Sequence, residues 1–155
     1  GSLFAKLEQL GAEAILDTVK GLEAGSIVPE KQGESPTAYA KMLRKEMGNV
    51  DFSREAAYIL RLIRGLDPWP GTFSYLKGKM IKIRKAEHGG KSVGHVPGEI
   101  LAADEHGLLV QTGDGALRIT ALQPEGKKPM EASAWLRGTA VRPGDCFTRT
   151  REAEN

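Results

Sequence analysis

The spacing of apolar residues changes near residue 71 of this chain, from a helical period to alternation. Before that point, apolar side chains from residue 3 to residue 24 recur at helical spacing, which predicts one amphipathic helix that ends at Gly25. The positions are Leu3, Leu7, Leu10, Ala14, Ile15, Val19 and Leu22. Residues 26–34 are then predicted to be a linker, because Pro29 and Gly33 punctuate a polar stretch.

Two further helices are predicted before the period changes. Ser35 followed by Pro36 is a helix-start signal, so the first is predicted to run through Tyr39 and Met42 to residue 48. The second is predicted to begin near residue 51 or 53 and to end at Gly65. Its apolar stripe consists of Ala56, Ile59, Leu60 and Ile63.

The segment "DPWPG", residues 67–71, ends helical geometry, because two prolines fix φ and remove two backbone donors. Trp69, between these prolines, is interpreted as a buried anchor at the corner where the helix meets the strands. Pro68 and Pro70 then direct the following hairpin at a fixed angle.

Alternation after this corner predicts five short strands. They lie in "TFSYL", "KMIKIRKAE", "GEILAAD", "GLLVQTG" and "GALRITALQPE", with turns at Lys77-Gly78, His106-Gly107 and Asp114-Gly115. A short helix in "MEASAWLRG" and a closing "PGDCF" follow. Because no crossover helix separates the strands, the pattern predicts a mainly β fold with leading helices and a small antiparallel barrel.

The composition bears on the partners and the cellular compartment that we expect for this protein. The 22 Lys and Arg residues exceed the 20 Asp and Glu residues by 22 − 20 = 2, so overall charge favours no partner class. The single cysteine, Cys146, excludes an internal disulfide and is typical of a reducing cytoplasm. No apolar run of membrane-span length and no signal peptide appear, so we expect a cytoplasmic protein without a membrane partner. Gly1-Ser2 is interpreted as a remnant of expression cloning.

Candidate catalytic and metal-binding chemistry is sparse. His88, His95 and His106 lack a second ligand at metal-site spacing, so no metal site is predicted. The stretch "GGKSVG" has Lys85 where a phosphate loop requires its first glycine, so it is interpreted as a flexible loop. Cys146 has no general base nearby in the sequence. Asp114 and Asp145 each adjoin a glycine and are interpreted as turn residues.

Basic residues cluster on the first hairpin. An RNA backbone is bound by such a positive stripe, because each cation that neutralises a phosphate releases counterions. Shape and backbone recognition of a folded RNA, with no DNA partner, suits these lysines, while Phe73 and Tyr75 are the nearest stacking candidates. The alternative is that the lysines only keep an exposed strand soluble and unpaired. The predicted RNA-binding residues are Lys77, Lys79, Lys82, Arg84 and Lys85, followed by Lys127 and Lys128 of the "PEGKKP" turn.

Several stretches, in this order, resemble the later half of bacterial methionyl-tRNA formyltransferases. They are "LEAGSIVPEKQ", "YAKMLRKEMGNVDFS", "AAYILRLIRGLDPWPGTFSYL", "PGEIL", "GLLVQTGDGALRITALQPEGKKPM" and "PGDCF", which together extend over nearly the whole chain. In that family an N-terminal Rossmann-like domain transfers formyl from 10-formyltetrahydrofolate to the methionine of initiator Met-tRNA. A C-terminal oligonucleotide-binding (OB) barrel holds the tRNA.

The resemblance implies a division of the chain. Residues 1–25 would be the cloning remnant and the last helix of the catalytic domain, residues 26–34 the linker, residues 35–150 two helices and an OB-like barrel, and residues 151–155 a tail. The catalytic Asn, His and Asp of the family belong to the N-terminal domain, and its motifs are absent here, so Asn49 and the three histidines inherit no catalytic role. We therefore expect a fragment that binds no cofactor, lacks formyl transfer, and has the missing catalytic domain as a partner.

Two alternatives stay open. A related formyltransferase that acts on an amino-sugar nucleotide would use a similar C-terminal domain mainly as a structural part. A generic OB-fold interaction or dimerisation module is the other alternative, and an exposed apolar patch on the first helix would suit it.

Overall fold

The computed structural model describes residues 1–151 and divides the chain into two compact units, Gly1–Met42 and Leu43 onwards. Of the predicted tail, residues 151–155, only Arg151 lies within the described residues. Among the described helices, none is both long enough and apolar enough to cross a membrane.

The first unit contains helix α1, Ser2–Glu23, as the apolar spacing predicts. Gly25 ends it in a left-handed conformation with φ +67°, while the Ser26 amide donates to the Gly21 carbonyl oxygen at 2.9 Å. None of the α1 side chains is buried, and its apolar stripe, with Leu7 and Leu10, is exposed. Residues 26–34 form neither helix nor strand.

The predicted helix over residues 35–48 is wrong. Only a 3-10 turn, Lys45–Gly48, forms there. The Ser35 hydroxyl instead accepts the Thr37 amide at 3.2 Å, a local bond that competes with helix initiation. Tyr39 and Met42 are 87% and 85% exposed, so a helix here would lack the packed apolar face that stabilises short helices.

The second unit begins with that 3-10 turn and helix α2, Ala56–Gly65, whose buried stripe is the predicted one. The helix starts later than predicted, because the Asp51 carboxylate accepts the Ser53 amide at 3.0 Å and hydroxyl at 2.6 Å in a turn. Its N-terminus is capped from a distance: Asp114 Oδ1 accepts the Ala56 amide at 2.8 Å. Asp114, predicted as a turn residue, thus also ties α2 to the sheet.

Seven strands form one sheet within residues 1–151. They are β1 (Thr72–Leu76), β2 (Lys79–Gly90), β3 (Ile100–Asp104), β4 (Gly107–Gln111), β5 (Ala116–Pro124), β6 (Met130–Glu131) and β7 (Phe147–Thr148), with helix α3 (Ala132–Leu136) after β6. The strand order is β3-β4-β5-β2-β1-β7, β6 pairs with β5, and every pairing is antiparallel. The five predicted strands and the short helix are confirmed, and two short strands are added.

The two ends of the sheet are joined by hydrogen bonds between the segment before β3 and the segment that enters β7. The Phe147 amide donates to the Gly98 carbonyl oxygen at 2.8 Å, and the Ile100 amide donates to the Asp145 carbonyl oxygen at 2.7 Å. The sheet therefore curls around a buried apolar core, and the predicted mainly β fold with a small antiparallel barrel is confirmed. The core takes Ile59 and Ile63 from α2 and Ile81, Ile83, Leu117, Ile119 and Leu122 from β2 and β5.

The corner between α2 and β1 differs from the prediction at Trp69. Its side chain is 56% exposed and is not the buried anchor that was predicted. The residues on either side of this segment hold the corner instead. Leu66 is buried, and the Gly71 amide donates to the Leu66 carbonyl oxygen at 2.9 Å. Gly71 also packs against the buried Gly48, where a Cβ would overlap the Gly71 carbonyl oxygen. Backbone contact occupies this corner and leaves the indole outside.

Replacing Gly48 with alanine tests this packed corner. The added methyl group meets backbone that cannot rotate away, so we expect Gly48→Ala to lower the free energy of unfolding by about 1–3 kcal/mol. Denaturant titration followed by circular dichroism measures the loss. Gly65→Ala is the matched control, since its Cβ would meet open space at the end of α2, and should be neutral or slightly stabilising. Equal stability of Gly48→Ala and the parent chain would contradict the close backbone contact.

Candidate nucleic-acid interface

Strand β2 carries four of the predicted cations, Lys79, Lys82, Arg84 and Lys85. Ile81 and Ile83 point into the core, so Lys82 and Arg84 lie on the outward face, as predicted from the alternation. A bulge follows: Ile83 pairs with Leu122 and Lys85 with Ala121, which leaves Arg84 as the extra residue. Because of this bulge Arg84 and Lys85 both stay outside, and Ala86 returns to the core side.

Arg84 and Lys85 lie among acidic side chains. Arg84 Nη2 is 3.4 Å from Asp67 Oδ1, and both cations line a groove that also contains Glu131. Opposite charges at this distance reduce the local positive potential. Arg84 and Lys85 are therefore weaker candidates for a phosphate contact than the sequence analysis predicted.

Lys77 occupies the turn between β1 and β2, as predicted, with positive φ at both Lys77 and Gly78. Its Nζ donates to Asp145 Oδ2 at 2.7 Å and to the Ala140 carbonyl oxygen at 2.9 Å. Burial alone would raise the pKa of the Asp145 carboxyl, but hydrogen bonds from Lys77 and the Arg142 amide, with both positive charges, hold that pKa below its usual range. Lys77 thus ties the hairpin to the segment before β7.

Lys127 and Lys128 follow β5 in an exposed turn that lies beside the start of β2. The Glu125 amide donates to the Met80 carbonyl oxygen at 3.1 Å, and Gln123 Nε2 donates to the Lys127 carbonyl oxygen at 2.9 Å. As a result Lys127 and Lys79 line the same groove. Lys82 lines a neighbouring groove with Gln123 and Gly126 of the turn. The fold therefore brings two distant stretches of the sequence together, and we call Lys79, Lys82, Lys127 and Lys128 the basic cluster.

Aromatic residues adjoin the basic cluster on β1. Phe73 and Tyr75 are half-buried on the outward side and form an edge-to-face pair with ring centroids 5.9 Å apart. Phe73 lies directly opposite Lys82, which in turn lies opposite Gln123 on β5. This row across three strands offers apolar ring surface, a cation and an amide, the groups that contact unstacked bases and phosphates.

Two arginines near the end of the described chain were not among the predicted residues. Arg149 Nη1 is 3.4 Å from Asp51 Oδ2, and its carbonyl oxygen accepts Asn49 Nδ2 at 2.8 Å. Arg151 Nη2 is 2.6 Å from Glu125 Oε2, beside the basic cluster. The alternation "TRTR" was the available signal. Within residues 1–151 no three His, Cys, Asp or Glu side chains form a group that would hold a metal ion.

Comparison with known proteins gives a family match. Residues 42–140 match the family model described as formyl transferase, C-terminal domain. The methionyl-tRNA formyltransferase of Lachnospira eligens is 41% identical over 150 residues, which cover 93% of this chain and 47% of that protein. The methionyl-tRNA formyltransferase of Geobacter sulfurreducens is 43% identical over 152 residues, which cover 98% of this chain and 46% of that protein. The chain spans about half the length of the curated relatives it matches.

Among solved structures, HypX from Aquifex aeolicus in complex with tetrahydrofolic acid has a similar fold. The TM-score is 0.57 at 24% identity, and the alignment covers 80% of this chain and 22% of HypX. At this identity the likeness concerns the fold alone. The resemblance to the later half of methionyl-tRNA formyltransferases, first seen in the sequence, is confirmed by the family model and the relatives together.

The Lys77–Asp145 pair gives a pH-dependent prediction. The pKa of Asp145 is lower in the folded chain than in the unfolded chain. The ionised carboxylate therefore stabilises the fold at pH values above its unfolded-state pKa, and this stabilisation is lost as the pH falls through the folded-state pKa. We expect Asp145→Asn to lower the unfolding free energy at neutral pH, and the difference from the parent chain to shrink as pH falls below about 4.

Urea titrations across this pH range measure that difference. Asp17→Asn, on the exposed helix α1, makes the same charge change without this ion pair and should leave stability nearly unchanged. A difference for Asp145→Asn that stays constant down to pH 3 would contradict the coupling.

Proposed function

This chain belongs to the formyl transferase C-terminal domain family, and from that membership we propose that it is the tRNA-holding part of a methionyl-tRNA formyltransferase. The whole protein would transfer formyl from 10-formyltetrahydrofolate to the methionine of initiator Met-tRNA in the cytoplasm. The barrel corresponds to the OB fold of that family. Helix α1 would be the last helix of the catalytic domain, and the linker over residues 26–34 would lead to the barrel.

The convergence of the basic cluster is the observation that supports this function. Lys79 and Lys82 precede Lys127 by 48 and 45 residues in the sequence, yet the β5–β6 turn lies against the start of β2. If the lysines served only to keep an edge strand unpaired, lysines from β2 and from the β5–β6 turn would not need to lie together. Over residues 81–83, where Lys82 lies, β2 is paired on both sides by β1 and β5, so this part of the strand has no open edge to protect.

The chemistry of the cluster favours the RNA backbone over base sequence. Lysine is a flexible point charge that binds phosphate without fixed geometry, and such contacts position a nucleic acid more than they specify it. The guanidinium groups of Arg84, on the same strand as Lys82, and of Arg151 are each ion-paired with a carboxylate. We therefore expect this chain to supply affinity, while the catalytic half supplies the choice of initiator tRNA.

Catalysis is assigned to the part of the protein outside this chain. The family's catalytic Asn, His and Asp have no counterparts here, and the Lys77–Asp145 and Arg118–Asp104 ion pairs link separate segments of the barrel. We expect the chain alone to be inactive in formyl transfer and to bind no folate. The donor 10-formyltetrahydrofolate would be bound by the missing N-terminal domain.

The second candidate is a related formyltransferase that acts on an amino-sugar nucleotide. One observation favours it, namely that some of the predicted cations form ion pairs within the barrel. Of the seven predicted cations, Lys77 and Arg84 are held in ion pairs within the barrel, which suits a structural role. The four lysines of the basic cluster, by contrast, have no acidic partner in any ion pair of the described residues. tRNA binding that is absent or insensitive to salt would favour this second candidate.

Replacing Lys82 and Lys127 together by alanine tests the proposed function. Each lysine that neutralises a phosphate adds about one unit to the slope of log affinity against log salt, so the double variant should reduce the slope by about two. Binding to initiator tRNA is measured by fluorescence anisotropy across a potassium chloride series.

A matched control removes the same charge elsewhere. Lys6→Ala with Lys20→Ala, both on α1, should leave the salt slope close to that of the parent chain. If the two double variants change the slope equally, net charge alone explains the binding, and the basic cluster is not the contact surface.

A further inference from the structure

A groove of about 680 Å³ opens between the start of β2, the β5–β6 turn and helix α3. Its apolar lining includes Ile81, which is buried, and Met130 and Trp135, which are half-buried and pack against the core. A volume of this size lies within the range of about 300–1,000 Å³ that small-molecule sites occupy. The groove therefore combines an aromatic wall with room for a group of nucleotide size.

The rim of this groove is cationic. Lys79 and Lys127 line it from opposite segments, and neither forms an ion pair within the described residues. The one acidic side chain among its described lining residues is Glu125, whose Oε2 is 2.6 Å from Arg151 Nη2. Since this carboxylate is already neutralised by a guanidinium, the rim has a net positive charge that suits an anion.

We infer that the groove binds one unstacked nucleotide of an RNA strand, with the base against Trp135 and Met130 and the phosphate beside Lys79 and Lys127. This inference rests on the proposed function, because it assigns a particular contact to the RNA. An indole stacks on any base, and two lysines bind the attached phosphate, so the pairing of an aromatic wall with a cationic rim matches a nucleotide. The groove also adjoins Lys82 through the same turn, so a strand bound along the basic cluster reaches it.

The occupant is expected to be single-stranded at this point. A base within a duplex has its faces covered by its neighbours, and it reaches an aromatic side chain only when it is unpaired. A loop, bulge or end of the bound RNA therefore supplies the nucleotide. Contact with one base through stacking adds affinity with little sequence preference.

Tryptophan fluorescence of the whole chain tests the inference. The chain has two tryptophans, and because Trp69 is exposed at the corner, Trp69→Phe leaves Trp135 as the sole indole reporter. This variant is titrated with 5′-AMP, adenosine and inorganic phosphate in parallel. We expect saturable quenching by 5′-AMP in the millimolar range, weaker quenching by adenosine, and none by inorganic phosphate.

Rim variants identify the groove as the source of the signal. Trp135 packs against the core, so its replacement risks unfolding, whereas Lys79 and Lys127 are exposed. In the Trp69→Phe background, Lys79→Ala with Lys127→Ala should weaken 5′-AMP binding about tenfold, to the level of adenosine. Lys128→Ala is the matched control in the same turn; Lys128 does not line the groove, and the variant should retain most of the binding.

Three results would overturn the inference. They are no change of Trp135 emission with 5′-AMP, equal affinity for 5′-AMP and adenosine, or tighter binding of an acidic, leucine-rich peptide than of 5′-AMP. tRNA binding is measured on the same samples. Salt-dependent tRNA binding without a 5′-AMP response rejects the groove and leaves the proposed function standing, whereas a 5′-AMP response without tRNA binding rejects the proposed function.

Discussion

The alternation of side chains along β2 is the constraint on which the barrel and its charged surface both depend. Ile81 and Ile83 must face inward, because β2 is paired on both sides and its inner face closes the core against α2. The residues between them are then directed outward, where charged side chains keep their hydration. Lys82 and Arg84 occupy those positions. One sequence pattern thus fixes the core and orients the cations.

Much of this arrangement is visible in the sequence because it is local. The strands from β1 to β5, the turn at Lys77-Gly78 and the end of α1 at Gly25 each depend on residues within a few positions of one another. The expected helix over residues 35–48 failed because the Ser35 hydroxyl bonds locally. The start of α2 shifted because Asp51 holds Ser53 in a turn, and the carboxylate that caps the helix, that of Asp114, comes from far along the chain. Caps and partners contributed by distant segments leave no local pattern.

In the candidate site, too, local features are predictable from the sequence and features set by tertiary contacts are not. That Lys82 and Arg84 share a face follows from period two alone, and the sequence predicts it. That Arg84 lies beside Asp67, or that Lys77 is bonded to Asp145, depends on tertiary contacts. Trp69 was expected inside because a tryptophan between two prolines suits a packed corner, but the close backbone contact of Gly48 with Gly71 occupies that corner. The groove beside Trp135 arises where three separate segments meet, so no single stretch of sequence indicates it.

In the proposed function this chain holds tRNA through charge, while the selection of the initiator lies elsewhere in the protein. The most direct measurement is the affinity of the whole chain for initiator tRNA and for an elongator tRNA across a salt series. We expect comparable affinities for the two tRNAs, with the logarithm of each affinity falling steeply and linearly with the logarithm of salt concentration. Absence of binding to either tRNA at low salt would contradict it and would leave the basic cluster as a device for solubility.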